Sequence, residues 1–99
     1  MNEPVILLNP EDNVVVCCRA VIAGERMTVA ANTVVALCDV DIGHKIACAP
    51  IAVGAAVVKY GMAIGSATTS IAAGDWVHVH NMRSNYIETH TRSPSGNEP

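Results

Sequence analysis

The chain has 99 residues and a formal net charge of −3, and only 15% of its residues are charged. This length suits one domain, and the lack of a basic patch argues against a nucleic-acid partner. No uninterrupted apolar stretch reaches the roughly 20 residues that a membrane-spanning helix needs. The acidic start of the chain does not resemble a secretory signal, so we expect a cytoplasmic protein without a membrane partner.

The apolar composition favours strands over helices. Hydrophobic residues make up 51% of the chain, yet there is no Phe, one Trp and two Tyr. A core of Val, Ile and Ala favours strands, because β-branched side chains pack well on a pleated surface. A surface with so few charges leaves apolar area to cover, which indicates a partner chain or a homo-oligomer of the isolated chain.

Short apolar runs between turn residues predict a small all-β domain, since no segment carries a helical apolar stripe of useful length. The first predicted strand, at 5–8, ends in the turn residues 9–13, and a continuous buried strand follows at 14–21. The remaining predicted strands lie at 27–37 (two short strands around 31–32), 44–49, 55–60, 62–67 and 76–80.

A short pattern of an apolar residue, two residues, Gly, two residues and an apolar residue recurs along the chain. Its glycines are Gly24, Gly43, Gly54 and Gly74. Each is predicted to end a tight turn before a strand, at a position that often needs positive φ. The long, short, long spacing indicates two related halves. Because the composition then becomes polar, we predict one domain over residues 1–88 and a flexible tail over 89–99.

Two histidines near the end of the domain are the first candidates for chemistry. His78 and His80 stand two residues apart, so on a strand both imidazoles would project from one face. Such a pair suits metal ligation or proton transfer near neutral pH, although a polar strand face would have the same spacing. His44, after Gly43, is the third candidate, and by itself it is typical of a turn surface.

Other polar residues are weaker candidates. Lys59 and Arg83 could bind a carboxylate, or could be ordinary surface charges. Asn81 directly follows the histidines and is included with them as a substrate-binding candidate. The cysteines contain no Cys-x-x-Cys pair, so we interpret them as reduced thiols that act as small apolar residues, with a cysteine metal site as the alternative. They are Cys17, Cys18, Cys38 and Cys48.

An ordered series of motifs carries a family resemblance. The motifs are Gly43-His44-Lys45-Ile46-Ala47, Ile51-x-x-Gly54, Val58-Lys59-Tyr60-Gly61-x-x-Ile64-Gly65-x-Ala67 and Ile71-x-x-Gly74-x-x-Val77-His78-x-His80-Asn81. Over about residues 12–85 the chain resembles the small N-terminal SAF-type domain of the altronate and galactarate dehydratase family. It is similar as well to the separately encoded small subunit of sulfolactate sulfo-lyase. The ending Arg83-Ser84-Asn85 is closer to the altronate type, which favours a sugar-acid dehydratase.

The resemblance implies a SAF-type β-clip fold and lyase chemistry on a small hydroxycarboxylic acid. A base would remove the proton α to the carboxylate, and hydroxide or sulfite would leave the β carbon. A separate large catalytic subunit is implied, whose active site this small subunit completes with His44, His78 and His80. Lys59 and Arg83 are weaker candidates for holding the substrate carboxylate, and Asn81 is a further substrate-binding candidate.

The implied cofactor is a divalent metal, iron or manganese, bound mainly with the large subunit. In this chain its ligands would be His78 and His80. Three alternatives stay open: a non-catalytic substrate-binding or interaction module, the small subunit of a sulfolactate sulfo-lyase, and a stand-alone metal-binding homo-oligomer.

Overall fold

The computed structural model describes residues 3–84, and every regular element in this range is a β-strand. The predicted all-β class is therefore confirmed. The strands are β1 (Val5–Ile6), β2 (Val14–Cys17), β3 (Arg26–Val29), β4 (Asn32–Val35), β5 (Lys45–Ala47), β6 (Ala56–Lys59), β7 (Met62–Ala67), β8 (Trp76–Val77) and β9 (Met82–Ser84). Across these residues no helix is long and apolar enough to cross a membrane. The tail predicted at 89–99 lies outside the described residues.

A central antiparallel sheet, in the order β1-β2-β5-β8, separates two apolar cores. Successive side chains of a strand point to opposite faces, so β2, β5 and β8 each contribute side chains to both cores. Val15 and Ile46, paired across β2 and β5, face the first core together with the buried residues of the β3–β4 hairpin. Val14 and Ala47, the adjacent pair, face the second core with those of the β6–β7 hairpin.

The repeated glycine pattern marks turns, as predicted. The φ angles are 89° at Gly24, 83° at Gly43, 84° at Gly54 and 96° at Gly74. Residues with a side chain rarely adopt this left-handed backbone conformation, whereas glycine adopts it at no steric cost. The local preference for glycine therefore places four sharp turns at the ends of short strands.

The two halves of the chain are built alike. The N–H of Gly24 donates to the carbonyl of Ala36 at 2.7 Å, and the N–H of Gly54 donates to the carbonyl of Ala67 at 2.7 Å. In both halves an isolated antiparallel bridge joins a residue before the hairpin to a residue after it, and the two bridges are Val21–Val40 and Ile51–Ile71. These equivalent bonds support the interpretation of two related halves.

Several strand boundaries differ from those predicted. β2 ends at Cys17, so the strand predicted to reach residue 21 is too long. The N–H of Cys17 donates to the carbonyl of His44 at 2.9 Å. Two residues after the end of β2, the exposed Arg19 forms an ion pair with Glu25. The strand predicted at 76–80 is also too long, since β8 ends at Val77.

β9 was not predicted, and it pairs antiparallel with β7, with Ser66 opposite Arg83. Only three residues long, β9 is too short for an alternating pattern to stand out. Gly65 permits this pairing because a Cβ there would overlap the carbonyl oxygen of Arg83.

Candidate functional site

Trp76 lies at the centre of a cluster that contains the three candidate histidines. Its ring is stacked on His78, with centroids 5.3 Å apart and planes inclined by 11°. The ring centroids of His80 and Trp76 are 4.8 Å apart, and those of His44 and Trp76 are 5.7 Å apart in an edge-on arrangement. The centroids of His44 and His78 are 5.4 Å apart. Imidazoles from two separate segments of the sequence are therefore close together, as expected.

Strand register brings His44 to the cluster. In the β5–β8 pair, Ile46 lies opposite Trp76 and Lys45 lies opposite Val77. Extending this antiparallel register by one residue places His44 opposite His78. Because residues two apart share a face, both imidazoles then lie on the face that carries Trp76.

The backbone around His44 is held by its own turn. Its N–H donates to the carbonyl of Asp41 at 3.3 Å, and Gly43, with φ of 83°, completes the turn. The carbonyl of His44 accepts from the N–H of Cys17 at 2.9 Å, which ties the turn to β2. His44 thus stands at a fixed point where the turn enters β5.

Asn81 ends the strand before the histidines. Its Oδ1 accepts from the N–H of His78 at 3.0 Å, and its Nδ2 donates to the carbonyl of Trp76 at 2.9 Å. These bonds occupy the outer edge of the sheet and turn the chain back, so His78 and His80 belong to a turn rather than to a strand. Both rings nevertheless contact Trp76.

The surroundings of the histidines are apolar and poor in charge. His44 and His78 are half-buried and His80 is exposed. Between the two later histidines, Val79 is 77% exposed, and Ile42, two residues before His44, is 61% exposed. In the described part of the chain, no carboxylate bonds to any of the three imidazoles, so the cluster can bind an acidic ligand.

The described residues do not form a metal site by themselves. Within 3–84 there is no group of three or more His, Cys, Asp or Glu residues that could hold a metal ion. Protein metal sites of the catalytic kind usually take three side-chain ligands, and two imidazoles leave such a set incomplete. The donors within residues 3–84 therefore do not fit a self-contained iron or manganese centre.

The other predicted substrate contacts lie elsewhere or are otherwise engaged. Lys59 lies on β6 and the exposed Arg83 on β9, and both strands belong to the sheet β6-β7-β9 rather than to the sheet that carries the histidines. No hydrogen bond, ring contact or ion pair of the described residues joins either cation to the histidines. Asn81 is buried, and both ends of its amide bind the backbone, so it positions His78.

Sequence reasoning missed one residue of the cluster. Trp76, the only Trp in the chain, stands two residues before His78, and this same-face spacing was the available signal. Lys45 is half-buried on the side of the second core, and burial, together with the charge of Lys59, lowers its pKa. The two lysines therefore lie near each other, on the sheet face opposite the histidines.

The cysteines behave as the sequence indicated. All four are free, and the adjacent Cys17 and Cys18 are respectively buried and exposed. Burial raises the pKa of Cys17 to about 11 and also raises that of Cys48. Both thiols are therefore uncharged near neutral pH and poor nucleophiles or metal ligands.

Comparison with known proteins assigns the family. The altronate/galactarate dehydratase SAF domain matches residues 3–85 of the chain. The chain belongs to this family. Altronate dehydratase of Escherichia coli is 45% identical over 80 residues, which cover 81% of this chain and 16% of that protein. Altronate dehydratase of Bacillus subtilis is 34% identical over 95 residues, which cover 94% of this chain and 19% of that protein.

A third relative is itself named as a subunit. The (2R)-sulfolactate sulfo-lyase subunit alpha of Chromohalobacter salexigens is 43% identical over 44 residues, covering 44% of this chain and 47% of that subunit. The chain thus spans less than half of each of these three relatives. The match to the SAF family covers the histidine cluster, since His44, His78 and His80 all lie within residues 3–85.

Proposed function

We propose that this SAF-family protein is the small part of a hydroxy-acid lyase, whose histidine cluster completes an active site on a separate larger chain. The observation that carries the proposal is the convergence of His44, His78 and His80 around Trp76 in a chain of this family. The chain corresponds to only 16% and 19% of two altronate dehydratases. The remaining machinery would then belong to the larger chain.

The apolar residues beside the histidines support a contact with another chain. Val79 and Ile42 are 77% and 61% exposed, and each lies within two residues of a candidate histidine. Exposed aliphatic side chains next to half-buried polar groups are typical of a surface that a partner covers. Covering them would also remove water from the imidazoles and strengthen their interactions with a charged substrate.

The substrate proposed is a sugar acid such as altronate or galactarate. A neutral imidazole of the cluster accepts the proton α to the carboxylate, and the electrons of that C–H bond form a double bond to the β carbon. The β C–O bond breaks with its electron pair, and the departing hydroxide takes the proton back from the imidazolium as water. The resulting enol then becomes a keto acid, so the overall change is the loss of one water.

The predicted iron or manganese ion stays a proposal for the assembled enzyme. Because residues 3–84 lack three suitable ligands, most of the ligand set would belong to the larger chain. The cytoplasmic location is likewise still a prediction.

Reconstitution tests the two-chain proposal. The purified chain should not dehydrate altronate, galactarate or other sugar acids alone, and should do so when mixed with a large lyase chain found in a neighbouring reading frame. Keto-acid formation and size-exclusion chromatography would be measured together. Robust dehydration by the isolated chain would defeat the two-chain idea, and a stable complex that dehydrates none of these acids would defeat the substrate assignment.

Substitution in the reconstituted pair separates an active-site role from a scaffold role. Replacing His78 or His80 with Ala should lower turnover by about 10²–10⁴-fold, the usual contribution of a general acid or base. Thr33→Ala, on the exposed part of the β3–β4 hairpin, is the control and should leave turnover unchanged. Full turnover of both histidine variants, with binding intact, would favour a non-catalytic interaction module.

A second candidate is the small subunit of a sulfo-lyase. The observation that favours it is the match to a relative named as a subunit, (2R)-sulfolactate sulfo-lyase subunit alpha. In that reaction sulfite rather than hydroxide leaves the β carbon. Sulfite release from sulfolactate by the reconstituted pair, without dehydration of sugar acids, would establish this function instead.

A further inference from the structure

The indole of Trp76 donates a hydrogen bond to His44. Its Nε1 lies 3.3 Å from Nδ1 of His44. An indole nitrogen can only donate, so Nδ1 of His44 is the unprotonated acceptor, and a neutral imidazole then carries its proton on Nε2. Trp76 thereby selects one of the two neutral forms of His44.

This form limits what His44 can do toward a ligand. Nε2–H has a proton to donate and no lone pair in the ring plane, so it neither accepts a proton nor coordinates a metal. The lone pair of Nδ1 is engaged by the indole. While the bond to Trp76 lasts, His44 presents a single N–H donor in a fixed position.

His78 and His80 are held differently. Both contact Trp76 through their rings, His78 in a stacked arrangement at 5.3 Å and His80 tilted at 4.8 Å. No hydrogen bond among the described residues engages a ring nitrogen of either histidine. Each therefore keeps a nitrogen lone pair that can accept a proton.

We infer that Trp76 is a positioning residue that makes His44 the fixed hydrogen-bond donor of the cluster, leaving proton acceptance to His78 or His80. The ligand class that His44 recognises is a carboxylate. Its N–H bonds more strongly as negative charge grows on the carboxylate oxygens during removal of the α proton, and it keeps its own proton throughout. This assignment to a substrate rests on the proposed function, whereas the form of His44 does not.

Nitrogen NMR of the full chain tests the form of His44. Above the pH at which imidazoles are charged, His44 should show an unprotonated Nδ1 and a protonated Nε2, and the indole N–H of Trp76 should exchange slowly with water. Trp76→Phe keeps a flat ring but removes the donor, so the nitrogen signals of His44 should move toward those of a mixture of both forms. A protonated Nδ1 in the unaltered protein, or unchanged signals in the variant, would overturn the inference.

Conservative substitution in the reconstituted pair tests the role of His44. Gln offers an N–H donor of similar reach but no basic nitrogen, so His44→Gln should keep turnover within about tenfold, whereas His44→Ala should lose about 10²–10³-fold, the usual effect of deleting one such donor. If His44→Gln is as inactive as His44→Ala, the donor role is wrong. If both variants keep full turnover, the substrate role is wrong, while the NMR experiment alone decides the form of the ring.

Discussion

Asn81 binds the edge of β8 in the same way as Asn13 binds the edge of β6. The amide of Asn81 accepts from the N–H of His78 at 3.0 Å and donates to the carbonyl of Trp76 at 2.9 Å. The side chain of Asn81 therefore binds the outward-facing carbonyl of Trp76 and the N–H of His78. In a wider sheet, a neighbouring strand would bind these two groups. One side chain thus closes the sheet edge and orients the histidine cluster.

Asn13 repeats this arrangement on the second hairpin. Its Oδ1 accepts from the N–H of Val58 at 2.7 Å, and its Nδ2 donates to the carbonyl of Ala56 at 2.9 Å. Asp12 beside it accepts from the N–H groups of Tyr60 and Gly61 at 2.9 and 2.7 Å. Two adjacent polar residues thereby attach the β6–β7 hairpin to the central sheet.

Replacing Asn81 with Ala should destabilise the fold and disturb the site together. Two part-buried backbone groups lose their partner, and leaving one such group unsatisfied costs up to about 1–3 kcal/mol when it is fully buried. Urea unfolding would be followed by the fluorescence of Trp76, the only Trp in the chain. Asn32→Ala, at an exposed hairpin position, is the matched control and should change stability little. Equal effects of the two substitutions would contradict the edge role of Asn81.

Gly74→Ala should be far more destabilising than Gly24→Ala. Both glycines have left-handed φ, 96° and 89°, so both substitutions carry the left-handed penalty of roughly 1–2 kcal/mol. A Cβ at Gly74 would also overlap the carbonyl oxygen of Val35, whereas nothing lies within 4 Å of a Cβ at Gly24. Thermal unfolding of the two variants measures the difference, and equal melting temperatures would show that the close approach to Val35 is unimportant.

Tyr60→Asn should stabilise the protein. Tyr60 has φ of 60° in the turn of the β6–β7 hairpin and is 68% exposed, so its side chain gains little from burial. Asn adopts this backbone conformation more readily, which should recover about 0.5–1 kcal/mol of the left-handed penalty. Tyr60→Phe keeps the strain and should leave the free energy of unfolding unchanged. A less stable Asn variant would mean that the Tyr60 ring makes a compensating contact.

Stability should fall at alkaline pH because of Cys17. Burial raises the pKa of this thiol from 9.0 to about 11, so the unfolded chain ionises first. The contribution of this raised pKa to the free energy of unfolding is complete below pH 9 and is lost as pH rises to about 11. Its total is on the order of 2–3 kcal/mol. Cys17→Ala should flatten this part of the pH profile, although the variant is less stable at neutral pH. Cys18→Ala, at the adjacent exposed position, should keep most of the alkaline decline, because burial is the larger cause of the raised pKa of Cys17 and the charge of Cys18 a smaller one.

Features that depend on neighbouring residues were predictable from the sequence. The turn glycines stand where positive φ is needed, and β7 has the predicted bounds, Met62–Ala67. Strand ends were less predictable, because a side chain can replace a strand partner. Asn81 does this at β8, and a run of apolar and His residues gives no sign of it.

By itself, the sequence determined an all-β domain with sharp glycine turns, and it pointed to histidines in two segments. Only the tertiary structure decided which side chains meet. Pairing of β5 with β8 brings His44 to Trp76 and His78, whereas Lys59, on β6, belongs to a different sheet. The physical reason is that turns follow from short-range backbone sterics, whereas strand register is selected by the burial of both cores at once.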